Sequence, residues 1–78
     1  MGRMTSHFRP TQYDALERAI INRSRVALAR RGNEHIVIPE RIVTDGPREA
    51  LEATHPTTGE RMTFWLDELD HFEVVHGR

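Results

Sequence analysis

Four arginines and one tryptophan are the residues of this 78-residue chain best suited to binding an anionic or aromatic ligand. They are Arg23, Arg25, Arg30, Arg61 and Trp65. A guanidinium group donates a planar fork of hydrogen bonds to phosphate, and an indole ring can stack a nucleobase. Arg25, Arg61 and Trp65 have the parity opposite to the apolar residues of their predicted strands, so we expect them on outward faces. This pattern predicts binding of single-stranded nucleic acid or a nucleotide-like ligand.

The distribution of charge allows a second interpretation of the same arginines. The first 31 residues carry seven arginines and two acidic residues, whereas the remainder carries four arginines and ten acidic residues. Because strands from the two halves of a small sheet lie side by side, the arginines could instead pair with Glu49 or Glu52 across strands. In the same way, Trp65 could pack against the helix or a neighbouring subunit, or anchor a protein interface.

The other reactive side chains do not form a catalytic or metal-binding pattern. No two of the five histidines have the HxH or HxxxH spacing that places two imidazoles on one face, and the chain has no cysteine. Asp67, Glu68, Asp70 and His71 could be read as metal ligands, but a polar turn between two strands is the simpler interpretation. Neither serine lies in a G-x-S-x-G motif. We therefore expect a protein that is not an enzyme and needs no metal or other cofactor.

Length and hydropathy limit the organisation of the chain. With 37% hydrophobic residues, it can form one small domain around a single core. We expect a flexible tail over residues 1–9 and one domain over residues 10–78. No apolar run reaches the roughly 18 to 20 residues of a membrane span, and the N-terminus lacks the pattern of a secretory signal. The expectation is a cytoplasmic protein without a membrane partner.

One helix is predicted near the N-terminus, from Pro10 or Thr11 to Asn22. Thr11 is expected to be its N-cap, with Asp14 completing a capping box. The apolar residues of this segment recur with helical spacing and predict one buried stripe. They are Tyr13, Leu16, Ile20 and Ile21. A helix of this kind is suited to lie on a sheet.

Five short strands are predicted after the helix, which makes the fold mostly β within the α+β class. Arg31-Gly32-Asn33 predicts a hairpin turn, and Pro39 is expected to end or edge the second strand because it cannot donate to a ladder. Later strands are expected at 49–54, 62–66 and 71–75. The predicted core consists of Leu16, Ile20, Val26, Leu28, Ile36, Ile38, Leu51, Phe64, Leu66 and Phe72.

Over roughly residues 14 to 75 the chain resembles the WYL domain of bacterial transcription regulators. The similarity lies in the segments A-L-E-R-A-I, V-I-P-E-R-I-V, L-E-A and T-G-E-R-M-T-F-W-L-D-E-L. The resemblance implies a strongly bent, five-stranded antiparallel barrel of the Sm-like or SH3-like kind, preceded by a helix. It also implies a module that binds nucleic acid or a nucleotide-like ligand in transcriptional regulation.

The chain departs from the WYL pattern at four positions that bear on ligand binding. Glu49 and Ala50 stand where the tryptophan and tyrosine that name the family would fall. Trp65 and Glu68 stand where the family commonly has basic residues. An anion held there would lose two cations and meet a carboxylate, whose repulsion is on the order of 1 to 4 kcal/mol.

The chain is also similar to the Rof-type inhibitors of the termination factor Rho, which share the Sm-like barrel. This similarity lies in Y-D-A-L-E near the start and in G-E-R-M-T-F-W-L-D-E-L-D-H-F near the end. It implies an alternative function, in which an acidic surface contacts a protein such as Rho and no nucleic acid is bound.

Overall fold

The computed structural model describes residues 9–75, which form one helix and five strands. The elements are α1 (Pro10–Asn22), β1 (Arg25–Arg30), β2 (Asn33–Asp45), β3 (Arg48–Thr54), β4 (Arg61–Trp65), a 3-10 turn η1 (Leu66–Glu68) and β5 (His71–Val75). The tail expected over residues 1–9 lies outside the described residues, apart from Arg9. Within residues 9–75, no helix is long and apolar enough to cross a membrane.

Helix α1 has the predicted length but a different N-terminal cap. Arg9 is the N-cap residue and Pro10 the first helical residue, where its fixed φ and missing N–H are favourable. The Arg9 backbone N–H donates to Oε1 of Gln12 at 3.0 Å. The expected capping box of Thr11 and Asp14 is therefore wrong, because the N-cap lies two residues earlier and both residues lie inside the helix.

The C-terminus of α1 is closed by an arginine in the left-handed conformation. Arg23 has φ 56° and ψ 38°. Its N–H donates to the carbonyl of Ile20 at 3.3 Å, and the N–H of Ser24 donates to the carbonyl of Ala19 at 2.9 Å. These two bonds form a Schellman motif, which satisfies carbonyls that the helix end leaves free. The chain then enters β1 directly.

The five strands form one antiparallel sheet in the order β4-β3-β2-β1-β5. Strand β2 is long and shared: its first half pairs with β1, and its second half, from Ile38 onward, pairs with β3. The register shifts between Pro39 and Arg41, which places a β-bulge at the bend of the sheet. Turn η1 connects the two edge strands, β4 and β5. The predicted α+β fold, with one helix followed by five bent antiparallel strands, is confirmed.

The expected end of the second strand at Pro39 is wrong. Strand β2 continues through Pro39 to Asp45. A proline is tolerated inside a sheet at a bulge, where the ladder of hydrogen bonds is already interrupted. The buried Pro39 lies opposite Ala53 of β3, on the core side of the bend.

The face of β2 that packs in the core is the opposite of the predicted one. Ile36 and Ile38 were expected to point inward, but Val37 is fully buried and Ile36 is 41% exposed. The two-residue turn of Arg31 and Gly32 has positive φ at both positions and sets the register of the hairpin. Val37 thereby lies opposite the buried Val26. Since directly opposed residues share a face, a shift of one residue exchanges the two faces of β2.

Helix α1 covers the core with a narrower stripe than predicted. Leu16 and Ala19 are buried, and Tyr13 and Ile20 pack against the core cluster while partly exposed. Ile21, expected in the same stripe, is 79% exposed. The remaining core agrees with the sequence pattern at Val26, Leu28, Leu51, Phe64 and Leu66 and also includes Leu69.

Candidate ligand-binding surface

The outward-facing candidates lie on two different parts of the sheet. Arg25 begins β1, is exposed, and lies opposite Val75 of edge strand β5. Arg61 begins β4, the other edge strand, and is also exposed. Trp65 ends β4 and is half-buried. All three have the parity opposite to the core residues of their strands, as the alternation predicts.

Arg61 and Trp65 lie on the same face of β4 but at its two ends. They are four positions apart, which corresponds to about 13 Å along a strand. Thr63 stands between them on that face. A single nucleotide held by Arg61 could therefore not stack fully on Trp65. A single strand of two or more nucleotides could reach both.

The ring of Trp65 already has a cationic partner. The guanidinium carbon of Arg48 lies 4.0 Å from the ring centroid of Trp65, in a cation–π contact. Arg48 also donates from Nε and Nη2 to the two carboxylate oxygens of Asp67, at 2.8 and 2.7 Å. Glu68 lies 3.6 Å from the same guanidinium. The hydrogen bond to Asp67, followed by the charges of Asp67 and Glu68, raises the pKa of Arg48 above its usual value.

Arg48 is a residue that the sequence reasoning missed. It begins β3 and shares a face with Ala50, which lies directly opposite Trp65. A side chain two residues along from the opposed position is a diagonal neighbour, within reach of a long side chain. The strand register would have been the only signal for this contact. One face of the Trp65 ring is consequently occupied by Arg48.

Arg30 points to the inner side of the sheet, away from the outward-facing candidates. It continues the alternation of the buried residues Val26 and Leu28, and it is half-buried. Its guanidinium carbon lies 5.2 Å from the ring centroid of Phe64. His35 of β2 lies against the same ring, with a centroid distance of 5.4 Å and an interplanar angle of 53°. His35 is a second residue that the sequence reasoning missed, because the predicted register placed it outward.

Arg23 lies at the junction of α1 and the bend of β2. It lines a shallow groove of about 310 Å³ together with Ile20, Pro39, Glu40 and Arg41. Arg61 lines a smaller groove of about 80 Å³ on the other side of the bend, where Glu40 and Glu52 are its acidic neighbours. An anion at Arg61 would therefore meet two carboxylates, whereas one at Arg23 would meet a single carboxylate and a second arginine.

The glutamates expected to pair with the candidate arginines have other partners. Glu52 forms an ion pair with Arg41 across strands at 2.9 Å. Glu49 accepts a hydrogen bond from the hydroxyl of Tyr13 at 2.9 Å. Within residues 9–75, none of the four candidate arginines is in an ion pair. Their charges are available to a ligand, although the structure distributes them over several places rather than one surface.

The contact between Tyr13 and Glu49 also fixes α1 to β3. Partial burial of the phenol and the hydrogen bond to Glu49 raise the pKa of Tyr13 to about 12, and the charges of Glu49 and Glu17 add to this effect. The tyrosine is therefore a neutral donor at physiological pH. Glu49 thus connects β3 to the helix.

Asp67 and Glu68 form the 3-10 turn η1 between β4 and β5, which agrees with the interpretation of this run as a turn. Their carboxylates are engaged with arginines: Asp67 with Arg48, and Glu68 with Arg48 at 3.6 Å and Arg31 at 3.9 Å. Among the residues that the structure describes, no group of three histidines or acids is placed to hold a metal ion.

Comparison with solved structures shows a similarity of fold. The chain is similar to the proteasome accessory factor B/C (PafBC) of Arthrobacter aurescens, with a TM-score of 0.73 and 22% sequence identity. The match covers 94% of this chain and 13% of that one, so the chain corresponds to a small part of PafBC. It supports a WYL-like fold and does not support the resemblance to the Rof-type inhibitors. Scans against family models and against curated proteins find no match.

Proposed function

We propose that this chain is a WYL-like module of transcriptional regulation, acting in the cytoplasm by binding rather than catalysis. The observation that carries the proposal is the fold similarity over 94% of the chain to PafBC, a transcriptional regulator that contains a WYL domain. We further propose that the module binds single-stranded nucleic acid or a nucleotide-like ligand. A phosphate group would supply the counter-charge that its candidate arginines lack within residues 9–75.

A flexible single strand can contact Arg61 and Trp65 together. The two residues occupy the two ends of one face of β4, and Trp65 is partly exposed, so the strand backbone can contact Arg61 while a base stacks on Trp65. Base stacking contributes about 1–3 kcal/mol per base and tolerates any sequence. Specificity for one sequence is therefore not expected from this surface.

The test is titration with short single-stranded DNA and RNA at low salt, followed by Trp65 emission and by anisotropy of a labelled strand. Trp65 is the only tryptophan, so its emission reports on this site without interference. Arg61→Gln should weaken binding and lower the slope of log K against log salt by about 0.7, the value for one phosphate on a single strand. Trp65→Ala should weaken binding with little change in slope.

Arg18→Gln is the matched control, because Arg18 is exposed on α1 and its substitution removes the same charge as Arg61→Gln. It should change affinity and salt slope much less than Arg61→Gln does. If emission and anisotropy stay flat at about 100 μM protein, near the weak end of non-specific binding, the nucleic-acid proposal is wrong. If Arg18→Gln and Arg61→Gln have equal effects, binding is a general attraction to charge and not a property of this face.

A further inference from the structure

Three side chains from three strands meet on the inner side of the sheet, at the end next to the β1–β2 turn. Arg30 of β1 and His35 of β2 both contact the ring of Phe64 of β4, at centroid distances of 5.2 and 5.4 Å. Phe64 is 1% exposed, and the two polar side chains are half-buried. The reversed face of β2 creates this cluster, because it turns His35 to the side of Leu28, its directly opposed residue.

Among the described residues, the cluster has two hydrogen-bonding side chains, those of Arg30 and His35, and no acidic partner. Neither Arg30 nor His35 forms an ion pair within residues 9–75. The adjacent Glu34 is exposed and lies opposite Ala29, on the other face of the hairpin. Glu68 is engaged by Arg31 and Arg48. A half-buried guanidinium without a counter-ion loses hydration and gains no ion pair, which is unfavourable unless an anion is supplied.

Within residues 9–75, the guanidinium of Arg30 donates no hydrogen bond, so its N–H groups are available. A guanidinium contacts an aromatic ring well through its face, while its five N–H groups project from its edge. The imidazole of His35 supplies at least one further N–H donor in any protonation state. Phosphate accepts several such hydrogen bonds at once and matches the fork of an arginine.

We propose that Arg30 and His35, both packed on the buried ring of Phe64, form a phosphate-binding subsite. This inference rests on the proposed function, because it assigns the phosphate of a nucleotide-like ligand to the inner end of the barrel. It separates that subsite from the outward face of Arg61 and Trp65. A terminal phosphate monoester fits the site, since the cluster lies at the end of the sheet and not along an open face.

The experiment follows the five histidine Cε1–H resonances by NMR while inorganic phosphate is added at constant ionic strength. The His35 signal is assigned by its absence in His35→Gln. It should shift saturably, with half-saturation near or below about 1 mM, and a nucleoside 5′-monophosphate should shift it in the same direction. Arg30→Gln should weaken this binding at least about tenfold, the usual effect of losing one charged hydrogen bond.

Arg31→Gln is the matched control. It removes one positive charge, as Arg30→Gln does, but at the neighbouring position, where the arginine side chain is 77% exposed. It should change the phosphate affinity less than about twofold, as expected for an exposed charge. Arg30→Lys is the second variant if Arg30→Gln does not fold: it keeps the charge but loses the fork, so binding should weaken while the fold remains.

The proposal is wrong if the His35 shift rises linearly to about 10 mM phosphate, ten times a millimolar Kd, or if the other histidines shift equally. It is also wrong if Arg31→Gln weakens binding as much as Arg30→Gln. Oligonucleotide binding that depends on Arg61, without a phosphate effect on His35, would overturn this inference alone. Saturable phosphate binding at His35 without oligonucleotide binding would overturn the single-strand proposal alone.

Discussion

The face of β2 that packs in the core can be tested with one pair of neighbouring substitutions. Val37 is fully buried and Ile36 is 41% exposed, although both belong to the same apolar run. Replacing each with threonine keeps a β-branched side chain, so the preference for a strand changes little. The two variants then differ in whether the new hydroxyl lies in the core or near water.

The expected cost is larger at Val37. Val37→Thr replaces a fully buried methyl group with a hydroxyl that has no partner, at about 2–4 kcal/mol for the two effects together. Ile36→Thr replaces an ethyl group with a hydroxyl near water, and the two carbons lost from a side chain that is roughly 60% covered amount to about 1 kcal/mol at 0.8 kcal/mol per carbon. A chain of this length has a total stability of about 4–12 kcal/mol, so the first loss is a large fraction.

Thermal unfolding followed by circular dichroism measures both losses. In a domain of this size each kcal/mol shifts the Tm by about 4–8 °C, so Val37→Thr should lower it by about 8–32 °C and Ile36→Thr by about 4–8 °C. Urea unfolding with an unchanged m-value would confirm that the folded and unfolded states stay comparable. If Ile36→Thr is the more damaging change, the register is wrong, and the cluster that contains His35 does not exist.

Two further predictions concern contacts on either side of the sheet. Because Tyr13 is the only tyrosine and its pKa is raised to about 12, phenolate absorbance at high pH should appear near pH 12 in the folded protein and near pH 10 in urea. The pKa of Tyr13 is higher in the folded protein than in the unfolded one, so the contribution of Tyr13 to stability is complete below pH 10 and is lost as the pH rises through 12. Glu49→Gln should lower the pH at which Tyr13 titrates in the folded protein. Arg48→Lys should shift Trp65 emission and lower the Tm, because lysine keeps the charge but loses the two hydrogen bonds to Asp67 and the cation–π contact with Trp65. An unchanged emission spectrum and Tm would contradict these contacts of Arg48.

The sequence pattern was sufficient where polar and apolar residues alternate. In β4 and at the first residue of η1, Phe64 and Leu66 are flanked by polar residues or by Trp65, and the structure places Phe64 and Leu66 in the core and Trp65 on the outer face. Helix α1 was similarly marked by Pro10 at its start, which agrees with the observed first residue.

The pattern was insufficient where every residue is apolar. Ile36, Val37 and Ile38 form a continuous run followed by Pro39, so periodicity cannot say which of them face inward. The turn of Arg31 and Gly32 sets the register and so determines which of these residues face inward. That turn contains an arginine at a position with positive φ, where glycine or asparagine is usual. The contact between Arg48 and Trp65 also depends on the strand register, since the two residues are 17 positions apart in the chain.

Two arginines, Arg23 and Arg31, occupy left-handed backbone positions that would suit glycine. Each position costs roughly 1 kcal/mol for a residue with a side chain, so the native sequence is less stable than its backbone allows. At Arg23 the charge lies beside the negative end of the helix dipole, which offsets part of this cost. Arg23→Gly should therefore preserve or raise the Tm while removing a cation from the groove at the bend. At this position a cation for a ligand and a relaxed backbone require different residues, and the gain in Tm of Arg23→Gly measures how much stability the arginine costs.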